Sequence, residues 1–291
     1  MTEVLQHLIA LLGLERIEQN LFRGQSQDLG WGRVFGGQVL GQALSAAVQT
    51  VPPERAVHSF HGYFMRPGAV DRPIVYDVDR IRDGGSFTTR RVVAIQNGEA
   101  IFSLSASFQI EEEGFEHQDE MPAVPGPEGL LSERDLALRV ADKLPPGLRE
   151  QACAERPIEV RPVEPMNPLK PDRRPPQRAV WYRASGPLPD DAGLHRYLLA
   201  YASDFNFMTT ALMPHGVSWI SPGMQVASLD HAMWFHRPFR MDEWILHVVE
   251  SPSASGARGL ARGRFYTQDG RLVASTAQEG LIRQRKPRPR D

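Results

Sequence analysis

The sequence has a single cysteine and no long apolar run. Because Cys153 is the one cysteine among 291 residues, no disulfide can form within the chain, and no cysteine cluster is available for zinc or an iron–sulfur centre. Nowhere do about 18 apolar residues run together, which predicts that no segment spans a bilayer. The first residues also lack the basic region of a secretory signal. We therefore expect a protein of a reducing compartment, the cytoplasm.

An excess of charge of one sign is also missing. The chain carries 33 basic and 35 acidic side chains, for a formal net charge of −2. This balance argues against a general nucleic-acid binder. Hydrophobic residues at 41% and charged residues at 23% are typical of a globular protein. We expect one large domain or two domains of ordinary size.

Prolines are concentrated in the middle of the chain. Half of the 24 prolines lie at residues 122–176. Because proline has no amide hydrogen to donate, the two proline blocks of this segment are predicted not to sustain β ladders. Between the blocks, residues 131–144 have apolar residues at helical spacing, with Ser132 placed as an N-cap. The segment is predicted to be a linker that contains a short helix.

The two arms on either side of this linker resemble each other. Adding 171 to a position in the first arm repeatedly gives the same residue type, as in these pairs: Phe64 and Phe235, Arg66 and Arg237, Pro67 and Pro238, Gly85 and Gly256, Arg91 and Arg262. Two distant copies are not a solenoid, which needs several short repeats. They indicate a duplicated domain.

Each arm has the same order of predicted elements, a helix followed by strands. Apolar periodicity predicts helices at residues 35–48 and 194–212. The strand pattern occurs in six segments: 74–79, 87–96, 100–110, 244–250, 257–267 and 272–282. Asn97-Gly98 and Asp269-Gly270 mark hairpin turns. The predicted fold class is α+β, with an antiparallel β-sheet wrapped around a long helix in each arm.

Five segments of the sequence resemble one known family. They are HSFHGYFMRPG from His58, YDVDRIRDGGSF from Tyr76, LLAYASDFNF from Leu198, SLDHAMWFHRPF from Ser228 and RGRFYTQDGRLVASTAQEG from Arg262. In this order they strongly resemble the acyl-CoA thioesterase II (TesB-type) family over nearly the whole chain. The resemblance implies a double hotdog fold and hydrolysis of acyl-CoA to free CoA and a carboxylic acid. It implies no metal and no cofactor.

The resemblance also sets the expected domains and assembly. Residues 1–113 are expected to form an N-terminal hotdog domain, 114–178 the proline-rich linker, 179–285 a C-terminal hotdog domain with the catalytic residues, and 286–291 a basic tail. Because exposed sheet edges invite further pairing, the two copies are expected to join edge to edge. A homodimer or homotetramer is implied for the assembled protein.

The family's water-activating residues fall on Asp204, Ser228 and Gln278 of this sequence. A thioester carbonyl needs a nucleophile, a group that takes its proton and donors for the oxyanion. Water, a carboxylate and an amide meet these needs. The resemblance implies that Asp204 is the general base for a water held by Ser228 and Gln278. Aromatic neighbours in the sequence predict that burial raises the pKa of Asp204.

Each of these residues also has a structural interpretation. Ser203-Asp204 before FNFMTTAL is good chemistry for capping the N-terminus of a helix. Ser228 and Gln278 can instead satisfy buried backbone groups. Gly36-Gly37, at the start of the first helix, permits either close approach of a ligand or tight packing of the helix, and we favour packing.

Other chemistries stay open at this point. Histidine is the usual general base, and His58 is the strongest candidate among the histidines of the family-like segments: His58, His61, His231 and His236. A hotdog hydratase or dehydratase, which would need a paired Asp and His in one pocket, is one alternative function. A non-catalytic acyl-CoA-binding module is another.

The two arms differ at the predicted catalytic positions. At the 171-residue offset, Asp204 corresponds to Arg33 and Gln278 corresponds to Ser107. Arginine cannot replace the carboxylate, and serine cannot replace the carboxamide. We expect one working centre per duplicated chain.

Overall fold

A computed structural model describes residues 1–285, and the basic tail expected at 286–291 lies outside the described residues. The first part of the chain contains α1 (Glu3–Leu12), β1 (Glu15–Glu18), β2 (Leu21–Gly24), α2 (Gly36–Val48), β3 (Arg55–Phe64), β4 (Ile74–Asp83), β5 (Phe87–Gln96) and β6 (Glu99–Ile110). The remainder contains α3 (Glu133–Leu138), α4 (Pro146–Cys153), β7 (Ile158–Pro162), β8 (Gln177–Ala184), α5 (Ala192–Ser203), α6 (Thr209–Leu212), β9 (Met224–Ser228), β10 (Asp230–Phe235), β11 (Ile245–Ser255), β12 (Arg258–Thr267) and β13 (Leu272–Gln284).

These strands form one antiparallel sheet of 13 strands. The strand order is β1-β2-β4-β5-β6-β3-β10-β13-β12-β11-β8-β7, and β9 pairs with β13 outside this path. We call residues 21–110 the N-terminal repeat and residues 177–284 the C-terminal repeat. The repeats join where β3 pairs with β10, with Phe60 opposite Met233. This pairing covers an edge of each repeat, and it confirms the prediction that the two copies join edge to edge.

One helix lies against the sheet in each repeat. In α2, every residue from Gly37 to Ala47 is buried, as expected for a helix that is covered on all sides. In α5, Leu198 and Leu199 are wholly buried in the same core cluster as Leu40 of α2. The predicted α+β layout, a sheet wrapped around a helix in each half, is confirmed. Within residues 1–285, no helix is both long and apolar enough to cross a bilayer.

The predicted hairpin strands are present in both repeats, and several strands extend beyond their predicted ends. At the turn between β5 and β6, Asn97 and Gly98 both have positive φ, 53° and 74°, which is the signature of a type I′ turn. At the corresponding turn between β12 and β13, Gly270 has a φ of 90°. The hairpin turns were therefore correctly predicted from their Asn-Gly and Asp-Gly dipeptides.

The proline-rich segment is more regular than its sequence predicts. The expected short helix is present as α3, and Ser132 forms a capping box with Asp135 at its start. The prediction that the proline blocks cannot sustain a β ladder is wrong for β7, which pairs with β8. β7 lies at the end of the strand order and closes with Pro162. A proline is tolerated there because an edge strand does not need every amide hydrogen.

The second long helix, predicted as one stretch at residues 194–212, is interrupted. α5 ends at Ser203, and a turn containing Asn206, with a φ of 54°, separates it from α6. A left-handed residue cannot continue a right-handed helix, and asparagine adopts that conformation more readily than most residues. Asp204 is therefore the C-cap of α5. The alternative in which it caps a helix N-terminus is wrong, since the N-cap of α6 is Met208.

Candidate active site

The three side chains predicted to act together are in mutual contact. Ser228 Oγ donates a hydrogen bond to Asp204 Oδ1 over 3.2 Å. Gln278 Nε2 donates to the same carboxylate oxygen over 3.0 Å and to Ser228 Oγ over 2.6 Å. All three polar hydrogens of the hydroxyl and the amide are used within this triangle. Residues that lie 24 to 74 positions apart in sequence thus form one cluster.

Three elements of the C-terminal repeat position the cluster. Asp204 lies at the end of α5, Ser228 is the last residue of β9, and Gln278 lies in the middle of β13. β9 pairs with β13, which places Ser228 opposite Gly280. Because side chains alternate along a strand, Gln278 and Gly280 face the same side, and both are buried. The cluster lies where the end of α5 meets the inner face of the sheet.

The N-terminal repeat contributes the first turn of α2. The backbone N–H of Gly37 donates a hydrogen bond to the Asp204 carboxylate. A Cβ atom on Gly36 would lie only 2.6 Å from Asp204 Oδ2, and one on Gly37 would collide with the backbone oxygen of Tyr201. α2 has no side-chain cap, and the N-terminus of a helix favours negative charge. The favoured interpretation of Gly36-Gly37, tight packing of the helix, is therefore confirmed, with Asp204 against Gly36 and Tyr201 against Gly37; close approach of a ligand stays a prediction.

The pKa of Asp204 is set by burial and by the groups that contact its carboxylate. Burial raises the pKa of Asp204 from 3.8 to about 6, although the hydrogen bonds from Gln278, Ser228 and the Gly37 N–H and the positive charge of Arg33 oppose the rise. The residue as a whole is intermediate between buried and exposed. A carboxyl group with this pKa is mostly ionised at neutral pH and still accepts a proton readily.

His231 forms a second layer behind the cluster. Its Nδ1 lies 2.7 Å from Gln278 Oε1, and its Nε2 lies 2.9 Å from Ser203 Oγ. The side chain is wholly buried, and burial lowers the pKa of His231 to about 4. The ring is therefore neutral at neutral pH. Sequence reasoning named His231 among the possible bases and did not predict its contact with Gln278. The available signal was that His231 lies three residues after Ser228 in the same motif.

The strongest histidine alternative, His58, lies in the N-terminal repeat. Its Nε2 is 2.8 Å from Ser107 Oγ, and its ring contacts Phe87. Burial lowers the pKa of His58. None of its hydrogen bonds within residues 1–285 reaches Asp204, Ser228 or Gln278. The structure thus brings together the predicted carboxylate, hydroxyl and carboxamide, and it leaves His58 outside that cluster.

Strand register identifies the counterparts of the cluster in the N-terminal repeat. Phe64 pairs with Phe102 in one repeat and Phe235 with Ala274 in the other. Four residues before Phe64 and Phe235 lie Phe60 and His231, which therefore correspond. Four residues after Phe102 and Ala274 lie Ala106 and Gln278, which also correspond. The C-cap of α2 is Gln49, which makes Gln49 the counterpart of Asp204.

The counterparts Arg33 and Ser107, taken from one fixed offset, are therefore wrong. The two helices end 155 positions apart, at Val48 and Ser203, whereas corresponding strand residues lie 171 or 172 positions apart. One fixed offset therefore cannot align both the helices and the strands. At the equivalent positions the N-terminal repeat has Gln49 in place of the carboxylate and Ala106 in place of the carboxamide, so it still lacks the pair.

A buried arginine occupies part of this equivalent space. Arg90 pairs with Ala106, as Ala261 pairs with Gln278 in the other repeat. Arg90 is 1% exposed. Its guanidinium donates to Thr50 Oγ1 and to the Thr50 backbone oxygen, and it forms an ion pair with Asp83 over 2.6 Å. The space is filled by a fully bonded side chain.

Comparison with known proteins shows the family of the chain. The acyl-CoA thioesterase family matches residues 148–281, and the family of acyl-CoA thioesterase N-terminal domains matches residues 26–109. Acyl-CoA thioesterase 2 of Haemophilus influenzae is 48% identical over 283 residues, which cover 97% of this chain and 99% of that protein.

Two solved structures show the same architecture. An acyl-CoA thioesterase II from Mycobacterium marinum is 43% identical, with a TM-score of 0.77 over 96% of this chain and 98% of that one. A protein of unknown function with a hotdog fold from Alicyclobacillus acidocaldarius is 19% identical, with a TM-score of 0.75 over 96% and 99% of the two chains. The second likeness concerns the fold alone. Because this chain is 48% identical to the Haemophilus protein over nearly the full length of both, it belongs to the acyl-CoA thioesterase family and has its double hotdog fold.

Proposed function

We propose that the protein hydrolyses fatty acyl-CoA to a free fatty acid and CoA by general-base activation of water, without a covalent intermediate. The observation that carries the proposal is the hydrogen-bonded cluster of Asp204, Ser228 and Gln278. Membership of the acyl-CoA thioesterase family supports the same reaction. In this proposal Asp204 is the base, and the hydroxyl and the carboxamide, whose hydrogens bond to Asp204 and Ser228 in the structure, exchange part of this bonding to hold the attacking water.

The proposed first step forms a carbon–oxygen bond at the thioester carbonyl. The water attacks the carbonyl carbon while the Asp204 carboxylate takes one of its protons. Negative charge develops on the carbonyl oxygen, and the positive end of α2, whose Gly37 N–H binds Asp204, stabilises it through the helix dipole. The missing Cβ of Gly36 lets Asp204 Oδ2 lie close to the start of α2, so the proposed base and this helix end are adjacent.

The proposed second step breaks the carbon–sulfur bond. The tetrahedral intermediate collapses, the carbonyl re-forms, and the CoA sulfur leaves and takes the proton that Asp204 had accepted. The carboxylate is then ionised again. A carboxyl with a pKa of about 6 suits both halves of this exchange, because it binds and releases a proton near neutral pH.

Product identity tests the reaction. Incubation with a saturated fatty acyl-CoA, followed by a disulfide reagent for free thiols, should show one thiol and one fatty acid released per substrate. Hydration of an enoyl-CoA without thiol release would replace the proposal with a hydratase. Binding with no turnover over hours would replace it with a binding module. The absence of a histidine bonded to Asp204 within residues 1–285 disfavours the hydratase.

Three further expectations are carried as part of the proposal. We propose a homodimer or homotetramer, which light scattering would test, and a cytoplasmic location, which suits a chain with a single cysteine. We also propose that residues 1–113 and 179–285 are the two hotdog domains, joined by the linker at 114–178.

A further inference from the structure

The catalytic cluster is part of a closed ring of hydrogen bonds. From Asp204 the ring runs through Gln278 to His231, with distances of 3.0 and 2.7 Å, and from His231 to Ser203 over 2.9 Å. Ser203 is bonded covalently to Asp204. The ring therefore links the proposed base to itself through three side chains, and His231 lies on the side opposite the base.

The proton on each atom of this ring follows from what each group can donate. A carboxamide has donors on nitrogen and an acceptor on oxygen. Since Gln278 Nε2 donates to Asp204, Gln278 Oε1 faces His231 and requires a donor there. His231 Nδ1 must therefore carry the proton. In the neutral ring Nε2 then carries no hydrogen, so its 2.9 Å contact with Ser203 Oγ requires the hydroxyl as donor. Ser203 Oγ can also donate to the Ala200 backbone oxygen over 2.9 Å, and the ring requires its one hydrogen to turn from that oxygen to the imidazole.

All donors in the ring thus point the same way. Ser203 donates to His231, His231 donates to Gln278, and Gln278 donates to Asp204. The carboxylate, which only accepts, ends the series. His231 is the donor to Gln278 Oε1 in a covered position, because the imidazole is wholly buried and its ring centroid lies 6.0 Å from that of Phe60 and 5.8 Å from that of Phe207.

We propose that His231 is a positioning residue of the thioesterase reaction: its Nδ1–H holds the Gln278 carboxamide with the amide nitrogen towards Asp204 and Ser228. The inference rests on the proposed function. Its importance is greatest when Asp204 carries the proton taken from water. A protonated carboxyl can donate to an amide oxygen. If the Gln278 carboxamide were unrestrained, it would rotate at that moment and exchange the positions of its oxygen and nitrogen. His231 prevents this reversal and keeps the amide ready for the next water.

Two variants separate the hydrogen bond from the packing. His231→Phe removes the donor, and a phenylalanine is already present at the counterpart position, Phe60. His231→Asn keeps an N–H donor near the place of Nδ1. Thiol release from one fatty acyl-CoA is measured against pH for both. For His231→Phe we expect kcat to fall about tenfold with KM little changed, the effect of losing one buried hydrogen bond, and we expect His231→Asn to recover most of the rate.

The pH profile gives a readout that a purely structural role would not move. A carboxamide free to turn its oxygen to Asp204 stabilises the protonated carboxyl, so it raises the pKa of Asp204. The groups that face this carboxyl are the Gln278 amide, the Ser228 hydroxyl, the Gly37 N–H and the charge of Arg33. The acid limb of kcat/KM should move upward by about one pH unit in His231→Phe and stay in place in His231→Asn.

The outcomes distinguish this inference from the proposed function. If Asp204→Asn retains activity, the proposed base is wrong whatever His231 does. If Asp204→Asn is inactive while His231→Phe keeps the wild-type rate and pH profile, the positioning role alone is overturned. Equal losses in the Phe and Asn variants would also overturn it, because the loss would then come from packing. Nitrogen-15 spectra of the imidazole provide a test without turnover: a proton on Nε2 instead of Nδ1 at neutral pH would contradict the ring.

Discussion

Gln278 donates a hydrogen bond to Asp204 across 74 positions of sequence, from Nε2 to Oδ1 over 3.0 Å. One partner comes from the middle of a strand and the other from the cap of a helix, so neither local pattern alone would place them together. The contact gives the carboxylate a fixed neighbour on the sheet side. On its other side lies α2 of the N-terminal repeat.

The first prediction concerns the proposed base. Asp204→Asn removes the group that accepts a proton but keeps its size, so thiol release should fall by about 10²- to 10⁴-fold. Asp77→Asn is a matched control, because Asp77 is an exposed aspartate on β4, and it should keep wild-type activity. Circular dichroism and thermal melting establish that both variants are folded. Near wild-type turnover by a folded Asp204→Asn protein would remove Asp204 from the mechanism.

The second prediction is a pH dependence with a defined sign. Burial raises the pKa of Asp204 to about 6, and the base must be ionised to act. The value of kcat/KM should therefore rise with pH up to about 6 and level off above it. Gln278→Ala and Ser228→Ala each remove a hydrogen bond that lowers this pKa, so the acid limb should shift to higher pH in both. A limb that stays in place in both variants would show that another group titrates.

The third prediction addresses the helix N-terminus. In Gly36→Ala, the added Cβ would lie 2.6 Å from Asp204 Oδ2, and either α2 or the carboxylate must move. A displacement of about 1 Å in a reacting group can reduce the rate by about 10²-fold. Gly85→Ala, in a turn where a Cβ would meet nothing within 4 Å, should leave the rate unchanged. Equal rates for the two variants would argue against close approach at Gly36.

The fourth prediction concerns the N-terminal repeat. Arg90→Met leaves buried acceptors at Thr50 without their donor, which should lower the free energy of unfolding by about 2–4 kcal/mol. Arg91→Met removes an exposed ion pair with Asp79 and should cost less than about 1 kcal/mol. Urea unfolding measures both. Turnover per folded chain should be unchanged in Arg90→Met, and a large loss would mean that the region around Arg90, and not only the start of α2, takes part in the chemistry.

Much of this architecture could be predicted from sequence, for identifiable physical reasons. The hairpins follow from alternating strands and from Asn97-Gly98, whose backbone preferences are local. The grouping of Asp204 with Ser228 and Gln278 came from motifs in a fixed order. These features depend on neighbouring residues or on a pattern that is preserved along the whole chain.

The features that sequence reasoning missed depend on tertiary contacts. The C-cap position of Asp204 depends on a break at Asn206, which periodicity alone does not reveal. The hydrogen bond from Gly37 crosses from one repeat to the other, and the contact between His231 and Gln278 depends on strand register. The pairing of β7 depends on its place at the edge of the sheet, where Pro162 is harmless.

The covalent fusion of the two repeats has an evolutionary consequence. In a symmetric dimer of single hotdog subunits, every substitution would occur twice, once in each copy. Here Phe60 and His231, or Arg90 and Ala261, are encoded separately, so one half can hold packing residues where the other holds the proposed reactive groups. Duplication within one gene thus permits a division of labour that identical subunits cannot achieve.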